Sequence, residues 1–510
     1  MSRPASRDEA VRAVRCVDWN KGMKKLLVVA VVAWLGVGTA WAQTAPPPQY
    51  LLRVTKDSVL DRVCKAYGLT VVRNIGWLYL YIVTGPVGAS PDALVTKVRT
   101  DRYVMTFEPD YVATTGETAA AHPNLKQTTD SLDEALVVDR TVADFYGTLA
   151  WNGYAHQPAF TVLNLDQARA AGKDGEGITV AVIDSGVDER NPLLKDVLLP
   201  GYDFTRNQPG ASEWGDLVQS TAAILDSHKC EAYYPITTAE DGTVTQSTAA
   251  ILDSACTPGI LNQSTAAILD SDSETQLAGA PPLPAAFGHG TMVAGLIHAV
   301  APRAKILPVK AFSADGTGRS SDIAQAIYYA VMNGARVLNL SFTFTSVSQE
   351  VMYATAYAAL SGRIVVAAAG NEGLMVKRWP AEHRWVVGVG ATTLWDTRAP
   401  FSNQGYDTFK IGAPGVNLVT TYPGSYYAAV SGTSFSAPLV SGAAALMGTA
   451  APLLEWGATS DVVRLGQYAE ISDIVKNADS QYPQRLIVPP AVALAPLLQR
   501  DTVKQINNIR

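Results

Sequence analysis

Five short runs between residues 178 and 389 constrain the fold more than any other feature. They span 178–183, 306–309, 337–340, 364–369 and 386–389, and each is almost wholly apolar. None alternates apolar with polar residues, so none reads as a strand with one wet face, and all are too short for buried helices. Among them lie 291–300, 322–333 and 350–360, whose apolar residues recur at helical spacing. Strands covered on both faces and separated by helices specify an α/β fold, a mostly parallel sheet with helices on both sides.

The region ahead of this pattern has a different texture. A strand at 51–54 leads to a helix opened by Ser58, with Val59, Leu60, Val63 and Ala66 on one face and Gly68 closing it. Strands at 70–75 and 78–84, a helix opened by Ser90 and Pro91, and a strand at 104–107 complete it. The caps and the proline stand where helix starts favour them. The order βαββαβ is the split βαβ arrangement, a small ferredoxin-like α+β unit over 43–115. Residues 116–150 are polar without a clear period and read as a linker holding a short helix at 142–149; residues 151–510 form the main domain.

The extreme N-terminus reads as an address. Lys24 and Lys25 precede the apolar run 26–37, and Ala40-Trp41-Ala42 offers a cleavage site. These are the parts of a secretory signal peptide, so residues 1–42 are expected to be lost and the product to be extracellular or periplasmic. Residues 1–22 carry both charge signs and read as an extension ahead of a start at Met23. No apolar run reaches the roughly 18 residues of a membrane span, so no stable span is expected. A net charge of −6 and a pI near 5.6 argue against a nucleic-acid partner, which needs a basic face.

One stretch, about 205–285, breaks the α/β rhythm. The nonamer Gln-Ser-Thr-Ala-Ala-Ile-Leu-Asp-Ser occurs at 219–227, 246–254 and 263–271, at offsets of 27 and 17. Unequal offsets argue against a stacked repeat architecture and for duplication inside an inserted surface excursion. Cys230 and Cys256 lie in it, and in an exported chain they are candidates for one disulfide. The acidic positions Asp226, Asp253 and Asp270 lack further oxygen ligands nearby for calcium, and no Cys/His spacing suggests zinc, so no metal site is assigned.

Three motifs carry chemistry: Ile-Thr-Val-Ala-Val-Ile-Asp-Ser-Gly ending a strand at Asp184, Phe-Gly-His-Gly-Thr opening a helix at His289, and Ser-Gly-Thr-Ser-Phe-Ser-Ala-Pro entering a helix at Ser434. Open α/β sheets gather functional groups at the carboxyl ends of strands. A hydroxyl nucleophile needs a base within hydrogen-bond reach, and the base needs an orienting acid; Ser434, His289 and Asp184 supply those types. A fourth group fits. The run 364–369 leads into Gly370-Asn371-Glu372-Gly373, and an Asn amide in such a turn can donate to an oxyanion. The backbone N–H of Ser434, at a helix start, is the expected second donor.

In combination these motifs resemble the subtilisin-like serine protease family over roughly residues 160–450. The resemblance implies a serine endopeptidase in which Asp184 orients the imidazole, His289 is general base and acid, Ser434 is the nucleophile and Asn371 the oxyanion donor. It implies protein or peptide substrates and no cofactor for catalysis. It also implies that the N-terminal unit is a propeptide, an inhibitor and folding aid cut off by the enzyme itself. The substrate-pairing strand, Ser-x-Gly in many relatives, is here Ser341-Phe342-Thr343, and Gly370 borders the same cleft. Where many relatives have a calcium-ligating His-Pro-Asp, this chain has Asn191-Pro192-Leu193, so structural calcium stays open with no site assigned. The competing reading is a non-catalytic member of the fold that uses the repeat insertion for binding. An α/β-hydrolase would need Gly-x-Ser-x-Gly, but Phe435-Ser436 follows Ser434. A dinucleotide fingerprint fails at Gly388-Val389-Gly390, which continues Ala-Thr-Thr, and no His-Glu-x-x-His is present.

Overall fold

A computed structural model of the chain describes residues 47–115, 139–217, 237–238, 244–245, 266–268, 284–405 and 410–450. The chain divides into units 1–47 and 48–510, and every element below belongs to the second. The signal-peptide stretch, residues 116–138 of the linker, both insertion cysteines and most of the nonamers lie outside the described residues.

The N-terminal part runs β1 (Gln49–Val54), α1 (Leu60–Tyr67), β2 (Thr70–Asn74), β3 (Leu80–Thr84), α2 (Pro91–Val98) and β4 (Val104–Pro109). Its antiparallel sheet has the order β2-β3-β1-β4. Gly68 ends α1 with a positive φ of 65°, the left-handed cap that glycine adopts without cost. Tyr50, Leu52, Val63, Val83, Val98 and Phe107 form its apolar core. β5 (Val112–Thr115) then leaves this sheet and pairs elsewhere.

The expected short helix at 142–149 is instead a hairpin, β6 (Val142–Phe145) and β7 (Thr148–Trp151). The reason is the two-residue turn, Tyr146 and Gly147, with φ of 54° and 88°. Positive φ at both positions makes the turn whose twist matches antiparallel strands.

The main sheet is built from β8 (Thr179–Asp184), β9 (Tyr202–Asp203), β10 (Gln208–Pro209), and, after short strands β11 (Thr237–Thr238), β12 (Val244–Thr245) and β13 (Ala266–Ile268), from β14 (Lys305–Lys310), β16 (Val337–Leu340), β18 (Ile364–Ala368), β19 (Val387–Thr392) and β20 (Ile411–Pro414). Its order is β10-β9-β14-β8-β16-β18-β19-β20, parallel throughout except the β10–β9 edge. The long helices packed on it are α3 (His289–Val300), α4 (Ser320–Met332), α5 (Gln349–Leu360) and α6 (Thr433–Ala450). Successive strand residues point to opposite faces, which explains the unbroken apolar runs. Val180 and Val182 of β8 pack with Met292 of α3 and Leu439 of α6, while Ala181 and Ile183 pack with Ile323 of α4 and Val351 of α5. The short strands β15 (Thr317–Arg319) and β17 (Phe342–Thr343) flank β5, and β21 (Leu418–Tyr422) pairs with β22 (Tyr426–Val430).

The start of the insertion is not the surface excursion expected. Ala211 and Glu213 are buried, because the segment folds back under the loop after β8. A Cβ on Gly186 there would stand 2.5 Å from the Ala211 carbonyl, so the two backbones are in direct contact.

The N-terminal part is tied to the body by buried charge. Arg53 forms an ion pair with Glu350, with Nε 3.2 and 3.1 Å from the two carboxylate oxygens, and Thr106 donates to the same carboxylate. Glu108 accepts from Gln349 N (2.8 Å), Glu350 N (3.2 Å) and Ser348 Oγ (2.7 Å), and so caps α5. Asp110 does the same for α4, accepting from Ser321 N (2.9 Å), Ser321 Oγ (2.8 Å) and Ser320 Oγ (3.0 Å). Carboxylates favour helix N-termini, where free N–H groups converge.

Candidate active site

Three adjacent parallel strands end at one place. Asp184 is the last residue of β8, Ser341 follows β16, and Gly370-Asn371 follow β18. Two helices start there, α3 with His289 and α6 with Thr433-Ser434. This is the crevice at the carboxyl ends of an open α/β sheet.

Asp184 Oδ1 lies 2.6 Å from His289 Nδ1 and accepts from Ser185 N at 2.7 Å. Both side chains are fully buried, so their interaction is strong in a low local dielectric. The imidazole lies 5.4 Å from the ring of Phe435, the residue after Ser434. Close approach of α3 to β8 needs glycine at 290, where a Cβ would sit 1.9 Å from the Gly186 carbonyl oxygen.

Asn371 is held by Thr433. Its Oδ1 accepts from Thr433 N at 2.9 Å and Thr433 Oγ1 at 2.8 Å. Thr433 Oγ1 in turn accepts from Gly370 N at 3.0 Å. With its oxygen committed, the amide nitrogen must face away. Asn371 Nδ2 is buried without a hydrogen-bond partner among the described residues, and it lies beside Gly432 in the turn before Ser434. A buried donor left unsatisfied is costly. Gly370 has a φ of 97°, and a Cβ there would meet Asn403 Nδ2 at 2.4 Å.

Ser434 Oγ donates to the Ser341 carbonyl at 3.3 Å, while Ser341 Oγ donates to the Ser434 carbonyl at 2.7 Å. Asn339 Nδ2 donates to Ser341 Oγ at 2.9 Å and Ser441 Oγ donates to Asn339 Oδ1 at 2.8 Å, so α6 is pinned to β16 through buried polar groups. The structure therefore brings Ser341 and Gly370 to Ser434. Phe342 meets β5 through its backbone. Its ring packs inward, 4.8 Å from Phe312 and 6.1 Å from Phe344. Phe342 and Thr343 pair with Thr115 and Thr114 of β5, whose other edge pairs with β15.

Two buried charged neighbours of the site were not legible in the sequence. Glu213 accepts from Ser185 Oγ and Gly288 N, the neighbours of Asp184 and His289, and Lys310, the buried last residue of β14, donates to Ser185 O (2.5 Å), Phe312 O (2.6 Å) and Asp216 Oδ2 (2.7 Å). Leu193 is buried and apolar, in keeping with its lack of a ligand oxygen. Among the described residues no group of three or more His, Cys, Asp or Glu could hold a metal ion, and no helix is long and apolar enough to cross a membrane.

Comparison with known proteins points the same way as the site. Subtilisin BL of Lederbergia lenta is 45% identical over 169 residues, covering 31% of this chain and 62% of that protein. The thermophilic serine proteinase of Bacillus sp. (strain AK1) is 31% identical over 331 residues, covering 64% of this chain and 66% of that protein. The chain thus spans less than two thirds of either relative. Fervidolysin from Fervidobacterium pennivorans, described as a keratinolytic enzyme related to subtilisin, shares the fold at a TM-score of 0.59 and 19% identity, over 88% of this chain and 61% of that one. Residues 175–479 match the subtilase family (peptidase S8) as a whole. That match spans more than half of the chain, and with the parallel strand order it places the chain in the subtilase family.

Proposed function

We propose that the chain is an exported serine endopeptidase, made as a zymogen that processes itself. The observation that carries the reading is the 2.6 Å contact of His289 with Asp184 at the end of β8, with Ser434 at the start of α6 bonded to Ser341 after β16, and Asn371 after β18 bonded to Thr433 beside it. Ser434 Oγ attacks the scissile carbonyl and its proton passes to His289 Nε2. Asp184 holds Nδ1–H and stabilises the imidazolium. Asn371 Nδ2 and the Ser434 N–H receive the oxyanion. Collapse expels the amine, which takes the proton from His289 and leaves an acyl-enzyme; water, deprotonated by His289, completes hydrolysis. No cofactor enters these steps.

The cleft supports the zymogen reading. β5 lies antiparallel between β15 and β17, as a peptide substrate would, and the chain continues from Thr115 toward residues outside the described set. Cleavage after β5 lowers the effective concentration of the N-terminal unit and lets it leave. The mature N-terminus is expected between residues 113 and 165. Export would also let Cys230 and Cys256 pair, which non-reduced peptide mass spectrometry reads.

The test is direct. A fluorophosphonate probe should label Ser434, and phenanthroline should leave activity intact. Ser434→Ala should lose its signal peptide yet keep the N-terminal unit. Peptidase activity or normal processing of that variant in a protease-free host would sink the assignment.

A further inference from the structure

We propose that Glu213 is a positioning residue for the triad, a second buried carboxylate that clamps the Asp184 strand end and the His289 helix start into one rigid unit. The inference rests on the proteolytic reading of the site and extends it to a residue outside the family motifs.

The geometry is a four-donor cradle. Glu213 Oε1 accepts from Thr291 N at 3.0 Å and from the Thr291 hydroxyl. Oε2 accepts from Gly288 N and from Ser185 Oγ, the latter at 3.3 Å. Gly288 immediately precedes His289, and Ser185 immediately follows Asp184. Ser185 Oγ also accepts from Gly290 N at 3.0 Å, and the Thr291 hydroxyl accepts from Asp188 N at 2.8 Å. One carboxylate therefore joins the chain on either side of His289 to both ends of the loop after Asp184. The residue is 1% exposed, and a carboxylate with four donors has its acceptor capacity filled. No side chain of α3 itself caps its first turn, so Glu213 does so from 75 residues away.

The clamp is itself anchored. Glu213 opens a single helical turn, Glu213–Asp216. Trp214 packs on Phe287 at 5.7 Å, with the Arg190 guanidinium 4.2 Å over its ring. Asp216 is bound by buried Lys310 at 2.7 Å and by Arg206. Lys310 returns to the same loop through the Ser185 carbonyl at 2.5 Å. Carboxylate, lysine and aromatic contacts all converge on residues 185–190 and 287–291, the two segments whose spacing sets the 2.6 Å Asp184–His289 contact.

The charged groups that face Glu213 are Asp184 on β8 and Lys310 on β14. Burial pushes its carboxyl up to about 8, the Asp184 charge adds to this, and the Thr291 and Gly288 hydrogen bonds and the Lys310 charge oppose it. Only the ionised form can accept all four donors, so the clamp tightens as pH rises toward that value.

The test compares wild type with Glu213→Gln, both matured by the same added protease, for kcat and KM on a chromogenic peptide amide. Glutamine keeps the shape but turns an NH₂ toward a backbone donor. Misplacement of the base by about 1 Å costs about 10²-fold in rate. The expected result is a kcat about 10²-fold lower with KM within about twofold. Glu213→Asp, which keeps the charge, should recover part of kcat, and exposed Glu176→Gln should change nothing. Unchanged kcat in Glu213→Gln overturns the proposal. Should that variant fail to fold, Ser185→Ala removes the donor that ties the strand end to Glu213, together with its bond from Gly290 N; about a tenfold fall in kcat at constant KM supports the role, and an unchanged kcat overturns it. Failure of the proteolytic reading looks different, because wild type itself would then neither turn over the amide nor take the probe on Ser434.

Discussion

Replacing Arg53 by alanine should undock the N-terminal part from the body. The Arg53–Glu350 pair is almost fully buried, with the two side chains 4% and 0% exposed. Arg53 also donates to the Leu78 carbonyl at 2.9 Å. Without the guanidinium, docking would seal Glu350 away from water with only the Thr106 hydroxyl to replace it. Undocking returns Glu350 to solvent, so the penalty falls on the docked state alone. Removing one partner of a buried pair costs about 3–5 kcal/mol, and about 1.4 kcal/mol is a factor of ten; the undocked population should rise about 10²-fold or more. A Ser434→Ala background keeps the chain whole and makes docking intramolecular. The amides of Gln349 and Ser321 report it, since both donate to carboxylates of the N-terminal part, Glu108 and Asp110. Their hydrogen exchange should accelerate by that factor in Arg53→Ala. Arg53→Ala/Glu350→Ala should restore most of the protection, because nothing charged is then left to bury. Exchange unchanged within about threefold, or a double variant as open as the single one, would refute the reasoning.

Three other outcomes are expected. Asn371→Ala should lower kcat about 10²- to 10³-fold with little change in KM, the usual loss for one oxyanion donor; steady-state kinetics on a peptide amide checks it. Gly290→Ala should cost about 1–3 kcal/mol by overpacking and abolish probe labelling, since its methyl would displace the Gly186 carbonyl next to Asp184; denaturant unfolding and labelling read the two effects. Burial lowers His298 from 6.5 to about 4, so between those values the native state binds fewer protons than the unfolded one. Stability then falls as pH drops through that window, by about 3 kcal/mol in all, and His298→Phe should flatten the pH dependence of urea midpoints.

The parts of the site legible in the sequence are those whose chemistry is local. Asp184, His289 and Ser434 stand beside glycines or at helix starts because backbones meet there, and those neighbours are printed in the chain. The two-faced burial of β8 was legible for the same reason, as an unbroken apolar run. Glu213 was not legible. Its partners lie 28, 75 and 78 residues away, and a lone acid in Glu-Trp-Gly-Asp reads as a turn. The 142–149 hairpin was missed because eight residues hold too few turns of either period, and the decisive signal was the Tyr146-Gly147 pair. Phe342 was placed in the cleft by its motif position, whereas strand alternation sends its ring inward.

The slot that holds β5 has a bearing on which proteins such an enzyme could attack. Once β5 leaves, β15 and β17 would offer unpaired backbone on both sides of a single-strand gap. Only a segment whose own N–H and C=O groups are free along both edges can fill it. A helix has none to offer, and a strand inside a sheet has already given both edges to its neighbours. Even a sheet's outermost strand has only one. Admission therefore depends less on the letters of a substrate than on its local unfolding free energy, and a tightly folded protein resists in proportion to the work of peeling out a few residues.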